Sequence, residues 1–373
     1  MSIKTHKYKL YKTKRLKYIH NTINISGIIY NHCIALHKRY YGIHKKHLNK
    51  FQLQKHITKL KKMDKHSFWK QVPSQSIQNI TERIEDAYKR FFDYVKGKTK
   101  LKAGPPRFKS VRKYKSYTLK GVVGYKIKDN EITLNKRKYR FWLSRPLDGI
   151  VRTVIVKRDN IGDFYICVSL DQECPQDRVA SGKSVGIDFG MKTFLTLSDS
   201  TKVESPLCHL KNLPKQRLLN RSLSRKKRGS NGRANAKLKL AKLHIKTANQ
   251  RRDYFHKLST ILSTSYDNIF MEDLNIKAMQ KIWGRKISDL AFSEFVEILE
   301  HKGNVTKIDR HYPSSKTCSS CGHVKESLSL KTREFNCTNC GLTVDRDLNA
   351  AINIKRVGAS TLAREVVSTA SAA

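Results

Sequence analysis

The sequence predicts a multidomain α+β protein, and three observations along its 373 residues support that fold class. A long N-terminal segment has apolar residues three or four apart, as amphipathic helices do. The next segment has short alternating runs of β-branched and aromatic residues, which are typical of β-strands. The second half has the order strand, long helix, strand, which indicates an α/β sheet, and it contains two close pairs of cysteines. A chain of this length is expected to form two or three domains.

The helical segment is expected at residues 16–102, where Ile77, Ile80 and Ile84 recur at helical spacing. Residues 103–106, Ala-Gly-Pro-Pro, end it, because glycine and proline disfavour a helix interior. We therefore expect an α-helical lobe that stops at this breaker.

The β-rich segment follows the breaker and predicts a β-barrel or a β-sandwich. Apolar and polar residues alternate in a strand that has one buried face. A strand-like opening ahead of the helical lobe, at residues 6–11, has the same texture. The alternating runs after the breaker are residues 116–119, 131–134, 151–156 and 164–170.

The α/β segment begins with a strand at Val185, and residues 236–258 follow as a long basic helix. Ala241 and Ile245 begin an apolar stripe along that helix. Residues 365–373 are mostly small or polar and have no periodicity, so we expect a disordered tail there.

The net charge indicates the class of partner. Lysine and arginine total 76 against 30 acidic residues, so the formal charge is +46 and the pI is near 10.1. Self-repulsion of this size would destabilise a compact fold unless phosphates neutralised it, so we expect the protein to bind nucleic acid. Residues 1–63 hold 16 basic and no acidic residues, and residues 211–257 hold 16 basic residues and only Asp253 as an acid. Two separate phosphate-facing surfaces are therefore predicted.

Neither a secretory leader nor a membrane partner is expected. A membrane-spanning helix needs about 18 or more apolar residues in a row, and the sequence has no such run. Four of the eight cysteines form two tight pairs, which suits a reducing compartment better than a disulfide framework does. We expect a soluble protein of the cytoplasm, associated with the nucleoid. The scattered cysteines, expected to be ordinary residues, are Cys33, Cys167, Cys174 and Cys208.

The two cysteine pairs predict a structural zinc site. Cys318 and Cys321 form one Cys-x-x-Cys pair, Cys337 and Cys340 form the other, and 15 residues separate the pairs. This spacing is typical of two knuckles that bind one tetrahedral Zn²⁺, and four thiolates leave no open position for catalysis. A glycine follows each pair, which suits a tight turn with a positive φ.

Asp188 is the first candidate for an acidic centre. On a strand, alternation places Gly186, Asp188 and Gly190 on one face. The carboxylate then stands between two residues without side chains, which leaves room for a phosphate backbone and metal ions. A turn-forming aspartate is the alternative interpretation of this segment.

Two further acids lie later in the chain. Glu272 ends a second apolar strand, and Asp273 is expected to point to the opposite face. Asp345 and Asp347 precede a helical stripe, where either could simply cap the helix. Taken together with Asp188, these acids supply the hard oxygen ligands that Mg²⁺ or Mn²⁺ needs for phosphodiester hydrolysis. A metal-dependent nuclease centre is predicted.

The motifs resemble those of the TnpB (OrfB) family of insertion-sequence-encoded proteins, which are relatives of the type V CRISPR effector nucleases. The motifs match the family in content, in order and in separation. Weaker similarity at residues 72–75, 106–109 and 224–228 extends the resemblance over nearly the whole chain. The residues that carry the resemblance are Gly186-Ile-Asp-Phe-Gly190, Met271-Glu-Asp-Leu274, the segment 318–341 and Asp345-Arg-Asp-Leu-Asn-Ala-Ala-Ile-Asn-Ile354.

The resemblance implies an RNA-guided DNA endonuclease of a transposable element. A guide RNA from the element's right end would pair with double-stranded target DNA, and a short adjacent motif would license binding. One RuvC-like site would cut the strands, with Asp188, Glu272 and Asp347 at the family's catalytic positions and Asp345 as the second choice for the third acid. All three acids are present, which argues against the nuclease-dead repressors related to this family.

The resemblance also implies a division into domains, while the oligomeric state stays open. Both basic surfaces would hold guide RNA and heteroduplex. The implied domains are a wedge-like β-barrel at 1–15 and 103–180, a helical recognition lobe at 16–102, a RuvC/RNase H-like nuclease at 181–310 and 345–364, a zinc ribbon at 311–344 and the tail at 365–373.

Candidate nucleic-acid contacts lie in two short segments of the sequence. Lys70, Ser74 and Gln75 are candidates for reading the adjacent motif, and the run Arg225, Lys226, Lys227 and Arg228 is a candidate for binding the phosphate backbone.

Two other functions stay open: a nuclease-independent DNA-binding regulator, and a transposase that joins strands with the same acids. The three intact acids argue against the regulator, and the inserted ribbon and the high charge argue against the transposase.

Overall fold

The computed structural model describes residues 2–121, 124–172, 181–329 and 332–370, so Cys174 lies outside the described residues. The protein has a mixed α/β multidomain fold and divides into two compact units, Met1–Gln176 and Asp177–Ala373. Among the described residues, no helix is both long enough and apolar enough to cross a membrane.

Unit 1 contains two antiparallel sheets. The larger sheet has the strand order β1-β7-β6-β2, so the first strand of the chain pairs with a strand more than 150 residues later. Every second residue of β7 faces the core and is buried, namely Phe164, Ile166, Val168 and Leu170. The smaller sheet has the order β3-β4-β5. The strands are β1 (Ser2–Lys9), β2 (Ser116–Lys120), β3 (Tyr125–Lys128), β4 (Glu131–Leu134), β5 (Arg137–Arg140), β6 (Ile150–Arg158) and β7 (Phe164–Gln172).

The helices of unit 1 lie between β1 and β2 in the chain. They are α1 (Leu16–His44), α2 (Lys50–Leu60) and α3 (Ser74–Val95), with a 3-10 helix at Asp64–Gln71 between the last two. Ile77, Ile80 and Ile84 are buried on one face of α3, and Trp69 of the 3-10 helix is buried in the same core. Fully burying an isoleucine side chain contributes about 2 kcal/mol, which stabilises α3 against the sheet.

Unit 2 is built on a five-stranded sheet with the order β10-β9-β8-β11-β12. Strands β8, β11 and β12 run parallel, whereas β9 and β10 run antiparallel to their neighbours. The strands are β8 (Ser184–Phe189), β9 (Thr193–Leu197), β10 (Lys202–Glu204), β11 (Asn268–Glu272) and β12 (Asn304–Ile308), and a separate hairpin pairs β13 (Glu334–Asn336) with β14 (Thr343–Asp345).

Six helices complete the described part of unit 2. Helix α5 contributes Phe255, Leu258 and Leu262 to the core beside the sheet. The last helix, α9, packs directly on β8 and β11. The helices are α4 (Cys208–Ser224), α5 (Asn231–Ser265), α6 (Ile276–Trp283), α7 (Arg285–Leu290), α8 (Phe292–Glu300) and α9 (Arg346–Ala370).

The C-terminal segment differs from the prediction of a disordered tail at residues 365–373. Helix α9 continues to Ala370, so six of those residues are helical, and residues 371–373 lie outside the described part of the chain. A helix that is already nucleated gains one backbone hydrogen bond for each added residue, so a segment without apolar periodicity can extend it.

Candidate active site and cysteine cluster

Asp188 and Glu272 lie at the same edge of the sheet of unit 2. Asp188 is next to the last residue of β8, and Glu272 is the last residue of β11. These strands are parallel, and Ile187 is paired with Met271, so the two acids follow that pair at corresponding positions. Side chains at the carboxyl ends of parallel strands gather at one edge, which is where α/β proteins commonly place their active sites.

Asp347 is brought to this edge by helix α9. It lies in the first turn of α9, and the helix packs across β8 and β11. Burial of the Asp188 carboxyl group, followed by the charges of Glu272 and Asp347, raises the pKa of Asp188 to about 7. Glu272 and Asp347 are therefore close enough to Asp188 to act on it electrostatically.

Glu272 is held in place by a neighbouring hydroxyl. Burial raises the pKa of Glu272, while the Ser314 hydroxyl donates a hydrogen bond to Glu272 Oε1 and partly offsets that increase. Two carboxyl groups with raised pKa values at one site disfavour the fully ionised state, so a bound cation would stabilise that state.

Asp345 has a different environment from Asp347. Its Oδ1 atom accepts hydrogen bonds from the backbone amides of Asp347 (2.9 Å) and Leu348 (3.1 Å), which caps α9. Its Oδ2 atom lies 2.7 Å from Lys202 Nζ. Burial tends to raise the pKa of Asp345, but these donors outweigh it and lower the pKa. Asp345 therefore serves as a helix cap, whereas Asp347 is the acid whose charge adds to the effect of burial in raising the pKa of Asp188.

The glycines beside Asp188 have a packing role that corrects our interpretation of them. We expected Gly186 to leave room for a phosphate backbone, but a Cβ atom there would lie 2.1 Å from the Ala351 carbonyl oxygen and 2.6 Å from the Lys355 amide. At Gly190 a Cβ atom would lie 2.4 Å from the Thr193 carbonyl oxygen. Gly186 thus allows α9 to approach β8, and Gly190 allows a tight turn.

Asp273 lies next to Glu272 but takes no part in the acidic cluster. Its Oδ2 atom is 2.5 Å from Arg310 Nη2 in an exposed ion pair. The ion pair with Arg310 engages the Asp273 carboxylate outside the acidic cluster.

The four cysteines form a cluster with the dimensions of a zinc site. Within the described ranges, they are the one group of three or more His, Cys, Asp or Glu residues whose ligand atoms all lie within 4.8 Å of one another. The Sγ atoms of Cys318 and Cys340 are 3.6 Å apart, as are those of Cys321 and Cys337. A tetrahedral Zn²⁺ with Zn–S bonds of about 2.3 Å places its sulfurs about 3.8 Å apart. The carboxylates at the sheet edge are more widely spaced.

The two knuckles have the same backbone geometry. Gly322 and Gly341 have φ angles of 77° and 71°, and their amides donate to the carbonyls of Cys318 and Cys337, each at 3.0 Å. A positive φ favours glycine, as the sequence predicted for these turns. Backbone amides directed at the sulfurs lower the pKa of Cys321 to about 6 and also lower the pKa of Cys337, whereas the neighbouring sulfurs, chiefly that of Cys321, raise the pKa of Cys340 to about 11. The thiolate is the form that binds metal.

Two buried asparagines connect the cysteine cluster to the acidic site, and we did not single them out in the sequence. Asn349 Nδ2 donates to the Thr317 carbonyl (2.7 Å), and Asn349 Oδ1 accepts from the Ser319 amide (2.9 Å). Asn353 Nδ2 donates to the carbonyls of Ser314 (2.9 Å) and Thr317 (2.6 Å). Both asparagines are fully buried, and their spacing of four residues within an apolar helical stripe was the available signal.

The candidate nucleic-acid contacts lie in both units. In unit 1, Lys70 lines a cavity of about 560 Å³ with Arg137 and Tyr18, and the Arg137 guanidinium lies 3.8 Å from the centre of the Tyr18 ring. Ser74 and Gln75 open α3, and Gln75 Oε1 is buried without a hydrogen-bond partner among the described residues. In unit 2, the exposed run Arg225, Lys226, Lys227 and Arg228 lies between α4 and α5.

Family models match most of unit 2, and curated relatives match nearly the whole chain. Residues 165–283 match the OrfB_IS605 model, described as "Probable transposase", and residues 292–354 match the Cas12f1-like TNB domain model. A Streptomyces pristinaespiralis protein named "Putative RNA-guided DNA endonuclease" is 30% identical over 365 residues, covering 94% of this chain and 88% of the relative. InsQ of Escherichia coli (strain K12), named in the same way, is 29% identical over 358 residues, covering 90% of this chain and 87% of the relative.

Solved structures with a similar fold come from compact CRISPR effectors. The Cas12f1 chain in a cryo-EM structure of a Cas12f1-sgRNA-target DNA complex matches with a TM-score of 0.60 and 16% identity, covering 92% of this chain and 83% of that chain. A mini-RNA-guided endonuclease, Cas_phi3, matches with a TM-score of 0.53 and 11% identity, covering 96% and 92%. At these identities the similarity concerns the fold alone.

Proposed function

Because this chain belongs to the TnpB (OrfB) family, we propose that it is an RNA-guided DNA endonuclease of a transposable element. It cuts double-stranded target DNA beside a short adjacent motif, by metal-dependent hydrolysis at a single site. The observation that carries this proposal is the convergence of Asp188, Glu272 and Asp347 at one sheet edge, where burial and then the charges of Glu272 and Asp347 raise the pKa of Asp188 to about 7.

The architecture of unit 2 supports a RuvC/RNase H-like nuclease domain. Its sheet has three parallel strands, β8, β11 and β12, and two antiparallel strands, β9 and β10, on one side. The acids lie at the carboxyl edge of the parallel part. For unit 1 we propose a wedge-like barrel formed by the antiparallel sheets and a recognition lobe formed by α1, α2 and α3.

The acidic residues fit Mg²⁺ or Mn²⁺ better than a softer metal. Their ligand atoms are carboxylate oxygens, which hard cations prefer, and crowding of like charges favours a cation there. Asp188, Glu272 and Asp347 would hold the ions, and Ser314 orients Glu272 through its hydrogen bond. When bound, the metal ions activate a water molecule and stabilise the charge that develops on the phosphate.

The cysteine cluster is proposed to bind structural Zn²⁺. The cluster contains four sulfurs, which is a closed ligand set, so the zinc would stabilise the fold of the ribbon rather than take part in the reaction. Asn349 and Asn353 of α9 form hydrogen bonds with segment 314–319 of the ribbon and so hold it against the helix. The ribbon therefore positions both Ser314 and the helix that carries Asp347.

The charge of the chain supports a resident guide RNA, which we propose derives from the element's right end. A formal charge of +46 is far more than a small DNA contact requires, and long RNA offers many phosphates to neutralise it. Sequence specificity would come from base pairing, so the protein needs mainly shape and phosphate contacts.

Co-purification tests the guide directly. Protein expressed with its native flanking DNA is expected to retain one discrete RNA, and this complex is expected to cut a plasmid that matches the RNA when Mg²⁺ is present. A plasmid with a scrambled target is the control. Loss of RNA on purification, with the protein folded, would contradict the proposal, and joining of DNA ends by the protein alone would favour the transposase.

The two aspartates at the start of α9 are expected to separate into different roles. Asp345→Ala removes a helix cap, so it should lower the free energy of unfolding by about 1 kcal/mol and leave most of the cutting activity. Asp347→Ala should abolish cutting with a smaller effect on stability, because its carboxylate accepts no capping bond from α9 among the hydrogen bonds described. Thermal unfolding and plasmid cleavage measured on both variants check this. The reverse pattern would make Asp345 the third acid.

A further inference from the structure

Unit 1 displays two neighbouring aromatic side chains on its surface, Tyr11 and Trp142, which we call the aromatic platform. Trp142 is 62% exposed and Tyr11 is 45% exposed. Their ring centroids are 6.1 Å apart and their planes are inclined by 35°. Single exposed apolar residues are common on protein surfaces, but adjacent exposed aromatics more often mark a binding site.

Backbone hydrogen bonds between the two segments hold both residues of the aromatic platform in place. The Tyr11 amide donates to the Arg140 carbonyl (3.0 Å), and the Trp142 amide donates to the Lys9 carbonyl (2.8 Å). Between these bonds Leu10 pairs with Phe141, and both of those side chains are buried in the core. Tyr11 and Trp142 therefore follow directly after two bridged residues that are anchored in the core, so little conformational entropy is lost when a ligand covers them.

The segments that carry the aromatic platform are strongly cationic. Residues 2–15 contain six Lys or Arg and no acid, and residues 136–147 contain five and no acid. Asp163 lies 2.5 Å from Lys9, and Glu131 lies 3.2 Å from Arg140, so part of this charge is balanced. The excess of cations favours a polyanion over an apolar protein partner, which would leave these charges without counterions.

We propose that the aromatic platform stacks an unpaired base of the guide RNA, while the surrounding lysines and arginines contact its phosphates. This inference rests on the proposed function, which supplies a resident RNA. Aromatic side chains beside cationic ones are the usual means of binding unpaired nucleotides, because every base has a face that stacks. A resident ligand fits better than a transient one, because a fixed aromatic pair without a cover would favour aggregation.

Tryptophan emission reports on the aromatic platform directly. The chain has three tryptophans, so the signal of Trp142 is taken as the difference between wild type and Trp142→Phe. In free protein this signal should be quenched readily by acrylamide, because Trp142 is exposed. In the purified RNA complex it should be strongly reduced by base stacking and protected from acrylamide, and adding target DNA should change it little.

Affinity measurements separate stacking from charge. Trp142→Ala and Tyr11→Ala should each weaken RNA binding roughly tenfold, and Trp142→Phe should restore most of it. The slope of log affinity against log salt should not change, because no cation is removed. Phe51→Ala is the matched control: Phe51 is 67% exposed beside Lys50, without a second exposed aromatic described next to it, and its removal should leave RNA affinity unchanged.

The outcomes distinguish this inference from the proposed function. Retained RNA with Trp142 still fully accessible to acrylamide would overturn the inference and leave the proposed function intact. Protection of Trp142 only after target DNA is added would also overturn it, because the occupant would then be DNA. If wild-type protein retains no RNA, the proposed function itself fails, and the co-purification experiment shows this before any variant is compared.

Discussion

Asp188→Asn is expected to lower the rate of DNA cutting by about a thousandfold or more while the protein remains folded and bound to RNA. The substitution keeps the shape of the side chain but removes a negative charge that the metal ions need. Stability should be unchanged or increased, because burial and two neighbouring carboxylates disfavour the ionised form of Asp188. Single-turnover cleavage and thermal unfolding in EDTA measure the two effects separately.

Asp273→Asn provides a matched control for that experiment. Asp273 lies at the same sheet edge, but its carboxylate pairs with Arg310 rather than with the acidic cluster. This variant should cut DNA at close to the wild-type rate. Undiminished cutting by Asp188→Asn, or equal losses in both variants, would show that the cluster is not the reaction centre.

Cys337→Ser is expected to remove bound zinc and to destabilise unit 2 by several kcal/mol, because a structural zinc ion contributes its binding free energy to folding. Cutting should also be lost, although the four cysteines of the cluster take no part in the proposed reaction. The reason is that the ribbon holds Ser314, whose hydroxyl bonds to Glu272, and contacts α9 through Asn349 and Asn353. Metal analysis and thermal unfolding check the first two effects.

Cys208→Ser is the control for the cysteine experiment. Cys208 is a half-buried free thiol outside the cluster, so its substitution should leave zinc content and unfolding unchanged. About one zinc per wild-type chain is expected. Zinc near zero in wild-type protein, or unchanged unfolding of Cys337→Ser, would contradict a structural zinc site.

The placement of Asp188, Glu272 and the four cysteines was predictable from the sequence because each lies in a local pattern with a structural meaning. The four cysteines meet as their spacing predicted, and the positive φ angles of Gly322 and Gly341 agree with the expected knuckle turns. Asp188 and Glu272 end adjacent parallel strands, which the apolar runs before them had indicated.

The choice between Asp345 and Asp347 could not be made from local pattern. Both precede the same helical stripe, and the environment of Asp345 depends on Lys202, which lies 143 residues earlier in the chain. The role of Gly186 was misinterpreted for a similar reason, since only the packing of α9 shows that the space beside it is filled by the helix backbone. Such tertiary contacts are set by the whole fold and leave no local signature.

The surface residues were the hardest to predict, because charge alone does not distinguish one lysine from another. The sequence shows the run Arg225 to Arg228 as a cluster of positive charge. Tyr11 and Trp142, in contrast, are about 130 residues apart in the sequence and become neighbours only in the folded protein. Functional pairs formed by long-range β-pairing need the register of the sheet before they can be recognised.

Reprogramming the guide tests the central claim most directly. The guide segment of the retained RNA is replaced by a sequence that matches a second site with the same adjacent motif, and cut positions are mapped with Mg²⁺ on plasmids that carry either site. We expect cutting to move to the second site, to disappear from the first, and to be abolished in Asp188→Asn. Cutting that stays at the first site, or that occurs equally at both, would contradict RNA guidance by this protein.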